Sequence, residues 1–384
     1  MKRRTFLTAT TVAAASVSAA GLAAPAYATA GRDLGYEVVA RFRDAMPTGV
    51  TVSRHGRIFI NFPRWGDDVP FTVAELRGGK AVAFPDGEVN REDADDLAGH
   101  FQSVQSVVVD SLDRLWILDT GSPLFAASSY GGPKLVAVDL RTNRIVRKIL
   151  FPSDVVPSDS YPNDVRFDLR RGAAGTAFIT DSGGRNGIIV VDLATGRSWR
   201  RLAGHVSTSA DDNFLPVIDS EPFMNRPAGG TPTYYEVGSD GIAIGADGKR
   251  LYYCPLSSRR LHSVSLAALA DPDTTEADVA ATVVDLGHKP MADGLESDDK
   301  GRIYGGDLEH DALWRRNPDG TYDTLAQGPE LVWIDTLSVA GDGHVYAIAN
   351  QLNRQADYHE GHDLRRKPYL LVRLPVHAGP VQLH

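Results

Sequence analysis

The amino-acid sequence predicts an all-β protein, folded as a six-bladed β-propeller with a central channel. Three observations predict it. A short apolar strand, a polar Gly/Asp turn and a second strand carrying an aromatic recur six times. Helical periodicity is nearly absent after residue 28. The composition, 42% hydrophobic and 23% charged over 384 residues, is that of a globular chain, which excludes disorder, collagen-like repeats and coiled coil.

The first element is an export signal. Met1-Lys2-Arg3-Arg4-Thr5-Phe6-Leu7 is followed by a small, apolar stretch to Ala24 and by Ala26-Tyr27-Ala28, an A-x-A cleavage site. Residues 1–28 read as a twin-arginine-type signal peptide, and 29–384 as a single propeller domain. The stretch is rich in Ala, Ser and Thr rather than Leu, which argues against a membrane anchor. Cleavage removes three basic residues and takes the net charge from −9 to −12. A secreted protein without membrane attachment is expected. Lys and Arg form no block, so nucleic acid is not an expected partner. Cys254 is the sole cysteine, which excludes an internal disulfide and a thiolate zinc cluster. Oligomeric state is left open.

The aromatic-bearing second strands follow in order. They are Gly56–Ile60, Asp113–Ile117, Gly175–Ile179, Lys249–Tyr253, Gly301–Tyr304 and Gly343–Ala347. Their aromatics, Phe59, Trp116, Phe178, Tyr252, Tyr304 and Tyr346, are 57, 62, 74, 52 and 42 residues apart, near the size of one four-stranded blade. First strands precede them at Val50–Val52, Ser106–Val109, Val165–Phe167, Ile242–Ile244, Leu295–Ser297 and Leu337–Val339. Third strands follow at Lys134–Leu140, Gly187–Leu193, Leu261–Val264 and Tyr369–Leu374. The last of these is expected to close the ring beside the first blade, removing sheet edges. The longest gap holds Ser207–Glu236, rich in Pro, Gly and Asp, and reads as a surface loop over one end.

First strands line the channel of a propeller, so the residues just before them matter most. Eleven residues before each aromatic stand Thr48, Gln105, Asp293 and Asp335; twelve before stands Asp240, and fifteen before, Asn163. Acidic and amide side chains at one equivalent position converge near the axis. Close carboxylates cannot all stay ionised without a cation, and such oxygen donors suit Ca²⁺, Mg²⁺ or Mn²⁺. Turn formation is the competing explanation for Asp-Gly and Asn-Asp pairs, and it is the reading for Asp247-Gly248, Asp319-Gly320 and Asp342-Gly343. Asn163, Asp240 and Asp293 are the candidate ligands of one divalent cation, Ca²⁺ or Mn²⁺; Asp240 and Asp293 are also the candidate acid/base pair. Gln105, Asn163, Asp335, Tyr161, Arg64, Trp65 and Trp333 are candidate ligand-binding residues. Trp stacks on an aromatic ligand, and Arg pairs with a carboxylate. Asp119, Asp181 and Asp307 lie three residues after an aromatic and are candidates for orienting that set.

These residues resemble the yellow / major royal jelly protein family. The matching pieces include Ile60-Asn61-Phe62-Pro63-Arg64-Trp65, Leu115-Trp116-Ile117-Leu118-Asp119-Thr120-Gly121, Tyr161-Pro162-Asn163-Asp164-Val165, Ser239-Asp240-Gly241-Ile242-Ala243, Trp333-Ile334-Asp335-Thr336-Leu337 and Ala349-Asn350-Gln351-Leu352-Asn353-Arg354. The resemblance implies a secreted six-bladed propeller. The family includes proteins linked to dopachrome conversion, binders of biogenic amines and storage proteins. Ile334 replaces the proline usual in its Trp-Pro-Asp. A weaker resemblance is to the gluconolactonase / regucalcin propellers. Their cation-binding turns look like Asn163-Asp164, Asp240-Gly241 and Asp293-Gly294, with no match for their early Glu.

Three functions follow as expectations for a small-molecule ligand at the channel mouth. One is binding and conversion of an aromatic, dopachrome-like aminochrome, with a carboxyl moving a proton. Another is metal-dependent lactone hydrolysis, with the cation polarising the carbonyl. The third is non-catalytic binding of an amine. No Gly-x-Ser-x-Gly elbow, HExxH pair or phosphate loop competes with them.

Overall fold

The recurring strand pattern becomes six four-stranded antiparallel sheets in the computed structural model, which describes residues 35–384. The predicted signal peptide lies outside the described residues. Blade 1 runs Gly49–Val52, Ile58–Asn61, Val73–Arg77 and Lys80–Ala83; blade 2, Val104–Val109, Arg114–Asp119, Lys134–Asp139 and Arg144–Leu150. Blade 3 is Pro162–Asp168, Thr176–Asp181, Gly187–Asp192 and Ser198–Arg201; blade 4, Ser239–Ile244, Arg250–Pro255, Arg260–Ser265 and Val284–His288. Blade 5 is Leu295–Ser297, Ile303–Asp307, Ala312–Arg316 and Tyr322–Gln327. Blade 6 takes Ile334–Val339, His344–Ala349 and Tyr369–Pro375, and its outer strand is Glu37–Phe42 from the start of the described chain.

That last strand corrects the expected closure. Tyr369–Pro375 is the third strand of blade 6, and the ring is closed by Glu37–Phe42 pairing along it from Glu37–Arg373 to Phe42–Tyr369. Each innermost strand packs against the next, and that of blade 6 returns to blade 1. Second-strand aromatics fill the seams between sheets: Phe59, Trp116, Phe178 and Tyr304 are fully buried. Burying one such ring contributes about 2–3 kcal/mol.

The innermost strands begin at the upper mouth of the channel and end at the lower. They start two to three residues earlier than the alternation implies in blades 2, 3, 4 and 6. The reason is a register shift in each, at Val104/Ser106, Pro162/Val165, Ser239/Ile242 and Ile334/Leu337. A bulge breaks the period-two pattern and re-aims the extra side chain. At the lower mouth the segment after blade 6 crosses the opening. The Asp299 amide donates to the Gly379 carbonyl at 2.9 Å, and the Leu169 amide to the Leu383 carbonyl at 2.8 Å. Among the described residues no helix is long and apolar enough to cross a membrane.

Candidate functional site

The bulged residues point into one cavity. Gln105, Asn163, Asp240 and Asp335 occupy the bulges, Asp293 stands two residues before Leu295, and all five line a cavity of about 250 Å³ at the upper mouth. Two glycines explain how the blades come so close. A Cβ on Gly241 would lie 2.4 Å from the Asp293 carbonyl oxygen, and one on Gly294 would lie 2.5 Å from that of Asp335. These glycines serve close approach. By contrast Gly248, Gly320 and Gly343 have φ of +65°, +91° and +82° and are the turns read from the sequence.

Hydrogen bonds link the ring into a chain. Trp65 Nε1 donates to the Tyr161 hydroxyl at 2.9 Å, and that hydroxyl to Gln105 Oε1 at 3.1 Å. Gln105 Nε2 donates to Asn163 Oδ1 at 3.4 Å, and Asn163 Nδ2 to Asp240 Oδ2 at 2.5 Å. The Asp240 and Asp293 carboxyls are in hydrogen-bonding contact, which raises Asp240 and lowers Asp293. Trp333 Nε1 donates to Asp293 Oδ2 at 2.7 Å, and Asn350 Nδ2 to Asp335 Oδ2 at 2.6 Å.

Burial dominates the electrostatics. It pushes Asp240 well above the ordinary carboxylate range, and the Asp293 charge pushes it further. Asp335 is raised well above that range by burial and then by Asp293, against the pull of Asn350 and Thr336. Asp293 is raised by burial too, but the Asp240 and Trp333 hydrogen bonds draw it part of the way back, as does the Lys289 charge. Lys289 is fully buried, its Nζ donating to the Pro290 carbonyl at 3.1 Å. Among the described residues no basic side chain lies within 4 Å of these three carboxyls. The three carboxyls therefore titrate together, with burial holding all of them above the ordinary carboxylate range.

The walls are aromatic. Phe125 stacks on Trp65, with centroids 5.1 Å apart and planes at 25°, and lies 5.3 Å from Tyr161. Tyr235 and Tyr358 stand elsewhere on the wall, edge to face at 5.6 Å. Tyr235 comes from the long insertion, so the loop read over one end covers this end. Burial raises Tyr161 well above the ordinary phenol range, so its hydroxyl stays neutral.

Three candidate residues sit elsewhere than the sequence suggested. Arg64 is not in the cavity; its guanidinium is held by the carbonyls of Phe101 at 2.9 Å, Gln102 at 2.5 Å and Asn90 at 2.9 Å, fastening blade 1 to the loop before blade 2. Past the end of the strand the chain turns, so Trp65 reaches the Tyr161 hydroxyl at the mouth while Arg64 turns back to these carbonyls. Trp333 is fully buried behind Asp293 and orients it without forming wall. Asp307 is partly buried and pairs with His310 at 2.9 Å, and among the described residues its side-chain hydrogen bonds go to Glu309 and His310 and to no cavity residue. Asp181 does support the site, accepting from the Tyr161 amide at 2.7 Å and Arg200 at 2.6 Å. Asp119 accepts from the amides of Gln102 at 2.7 Å and Ser103 at 2.9 Å and from Lys134 at 2.8 Å, fixing the approach to Gln105. Phe125, Tyr235, Tyr358, Asn350 and Lys289 lie outside the sequence-derived set. Only Asn350 had a signal, as part of Ala349–Arg354.

A family model described as major royal jelly protein matches residues 102–378. The chain belongs to the major royal jelly protein family. Among curated relatives, protein yellow of Drosophila erecta is 28% identical over 249 residues, 61% of this chain and 43% of that protein. Protein yellow of Drosophila madeirensis is 29% identical over 248 residues, 61% of this chain and 41% of its own length. The matched region thus spans less than half of these relatives. Solved structures with the same fold include the calcium-binding protein regucalcin of Agrobacterium tumefaciens (TM-score 0.54, 15% identity, 90% of this chain and 98% of that one). A gluconolactonase of Xanthomonas campestris matches with TM-score 0.52 and 11% identity, covering 89% of each chain. At that identity the likeness establishes the propeller fold alone.

The donor set of this family member bears on the cation expected at Asn163, Asp240 and Asp293. The oxygens are of the right kind for a hard divalent ion. In this structure Asn163 turns its amide nitrogen to Asp240, and the Asp240 and Asp293 carboxyls face each other, so the three donors engage one another. Among the described residues no three His, Cys, Asp or Glu side chains are grouped to hold a metal.

Proposed function

We propose that this protein is exported and binds one small aromatic cation at the upper mouth, where the Asp240–Asp293 pair can pass a proton to or from it. The observation that carries this reading is the convergence of three buried carboxyls in an aromatic-walled cavity, with no basic side chain in ion-pair range among the described residues. A ligand ammonium supplies the charge that the site lacks, and its ring finds Trp65, Phe125 and Tyr161 to stack on. The carboxyl–carboxylate pair holds one proton at Asp240 and one acceptor at Asp293. Such a pair can protonate one atom of a bound aminochrome and deprotonate another, which is a tautomerisation. Export rests on the twin-arginine pattern at Arg3-Arg4.

Calorimetric titration tests the reading. The probes are 2-phenylethylammonium, dopamine, Ca²⁺ and Mn²⁺, against wild type, Asp240→Asn and Asp293→Asn. We expect an aryl cation to bind once per chain, insensitive to chelator, and to weaken about thirtyfold or more in either variant. Absorbance of added dopachrome then reports conversion. Stoichiometric Ca²⁺ or Mn²⁺ bound by wild type, with no aryl cation bound, would overturn the reading in favour of a metal-dependent hydrolase.

A further inference from the structure

The stack of Trp65, Phe125 and Tyr161 is held unevenly. Trp65 and Tyr161 are tied to each other and to Gln105 by hydrogen bonds. Phe125 has only its ring contacts, and it is 59% exposed while lining the cavity. Its backbone is left-handed, φ 56°, directly after Leu124 at φ 54°. Neither is glycine, so both positions cost backbone energy. The neighbouring Leu124 is exposed as well, its amide donating to the Arg64 carbonyl at 2.8 Å. The segment thus presents an aromatic ring to solvent from a strained turn whose backbone is held, Phe125 by the Ser122 carbonyl at 3.2 Å, while the ring itself is held by stacking alone.

From this geometry we infer that Phe125 is the selectivity residue and entry cover of the mouth: its ring swings off Trp65 and Tyr161 and restacks on a flat ligand. The inference rests on the reading of the cavity as a cation site and adds to it a requirement for a planar π-face. A planar guest replaces the contacts that Phe125 gives up, with centroids again near 5 Å. A saturated ring of the same charge and reach offers an edge in place of a face. Opening is expected on the microsecond-to-millisecond scale of loop gating.

The test compares 2-phenylethylammonium with 2-cyclohexylethylammonium on wild type, Phe125→Ala and Phe125→Leu, by calorimetry and stopped flow. Wild type should prefer the aryl cation. Phe125→Ala should lose about three- to tenfold of that preference and take up both cations faster. Phe125→Leu should lose the preference but keep the slower entry, since it retains an apolar cover. An unchanged preference and rate in Phe125→Ala would overturn the proposal. A second measurement needs no ligand: the ¹⁹F NMR line of 4-fluorophenylalanine placed at position 125. The cover predicts a line broadened by exchange between stacked and open rings, shifted when Trp65 is replaced by Leu. A single narrow line that ignores Trp65→Leu would overturn it. If wild type binds neither cation, the site reading fails and the ¹⁹F line alone decides the cover.

Discussion

The two mouths of the channel use aspartate at opposite ends of the innermost strands, and they use it in opposite ways. At the lower end, Asp110, Asp168 and Asp298 are each clamped by arginine. Asp110 accepts from Arg114 Nε at 2.7 Å and Trp116 Nε1 at 2.8 Å, and Asp298 from Arg302 Nε at 2.5 Å and the Tyr304 hydroxyl at 2.6 Å. Arg166 reaches from blade 3 across the axis to blade 5, bound to Asp164 Oδ2 at 2.9 Å and the Leu295 carbonyl at 2.6 Å. At the upper end Asp240, Asp293 and Asp335 have amide, indole and carboxyl partners, and among the described residues no basic side chain within ion-pair range. The lower carboxylates knit the fold. The upper ones oppose it, since buried like charges raise the energy of the folded state. Residues kept against stability are where binding chemistry is to be sought.

The largest expected effect breaks this contrast most directly. Asp298→Ala leaves Arg302 and Tyr304 without their buried acceptor, and should cost about 3–5 kcal/mol in a denaturant melt. Asp335→Asn keeps a partner for Asn350 and removes a buried charge, so it should be neutral or stabilise by about 1 kcal/mol at pH 7. Equal losses in the two variants would show that both ends are structural.

Acidity separates the ends next. Asp240 and Asp335 have folded values raised by burial and by Asp293. Each therefore contributes stability that is complete below the unfolded carboxyl value near 4 and is lost as pH rises through the folded value. Asp168 behaves oppositely: burial raises it, but the hydrogen bonds and charges of Arg170 and Arg171 outweigh burial and hold it low. Its contribution is present at neutral pH and is lost as pH falls through the folded value. Stability of wild type should fall from about pH 4 upward, by up to about 1.4 kcal/mol per pH unit for each proton retained. Asp240→Asn should flatten that fall, whereas Asp168→Asn should leave it and weaken the acid-side loss. An identical pH profile in wild type and Asp240→Asn would remove the upper pair as its source.

The same contrast explains what could be read from the chain alone. The six blades were legible because each second strand carries its aromatic on schedule. The ring residues were legible because Gln105, Asp240, Asp293 and Asp335 stand eleven or twelve residues before those aromatics, with Asn163 at fifteen across a longer turn. Strand starts were missed by two to three residues because bulges put two residues where alternation allots one. Closure by Glu37–Phe42 was missed because a single outer strand, far in sequence from its partner, carries no repeat signal. Arg64 was grouped with Trp65 because adjacency in sequence does not show that its guanidinium turns back to the Asn90, Phe101 and Gln102 carbonyls. Phe125, Tyr235 and Tyr358 arrive on loops with no period, and their convergence depends on long-range packing.

The smallest effect sharpens the comparison within one chemistry. Tyr161 and Tyr304 both donate a hydroxyl, one to the neutral amide oxygen of Gln105 at 3.1 Å, the other to the Asp298 carboxylate at 2.6 Å. A hydrogen bond to a charged, dry acceptor is worth about 1.5–3 kcal/mol, and one to a neutral acceptor about 1. Water in the open mouth can also replace the Tyr161 hydroxyl for both Trp65 and Gln105, whereas Tyr304 is fully buried. Tyr161→Phe should therefore cost about 1 kcal/mol or less and shift the Trp65 emission, while Tyr304→Phe should cost about twice as much with tryptophan emission unchanged. Should Tyr161→Phe prove as damaging as Tyr304→Phe, the upper mouth is as rigidly satisfied as the lower, and its hydrogen-bonded chain belongs to the scaffold.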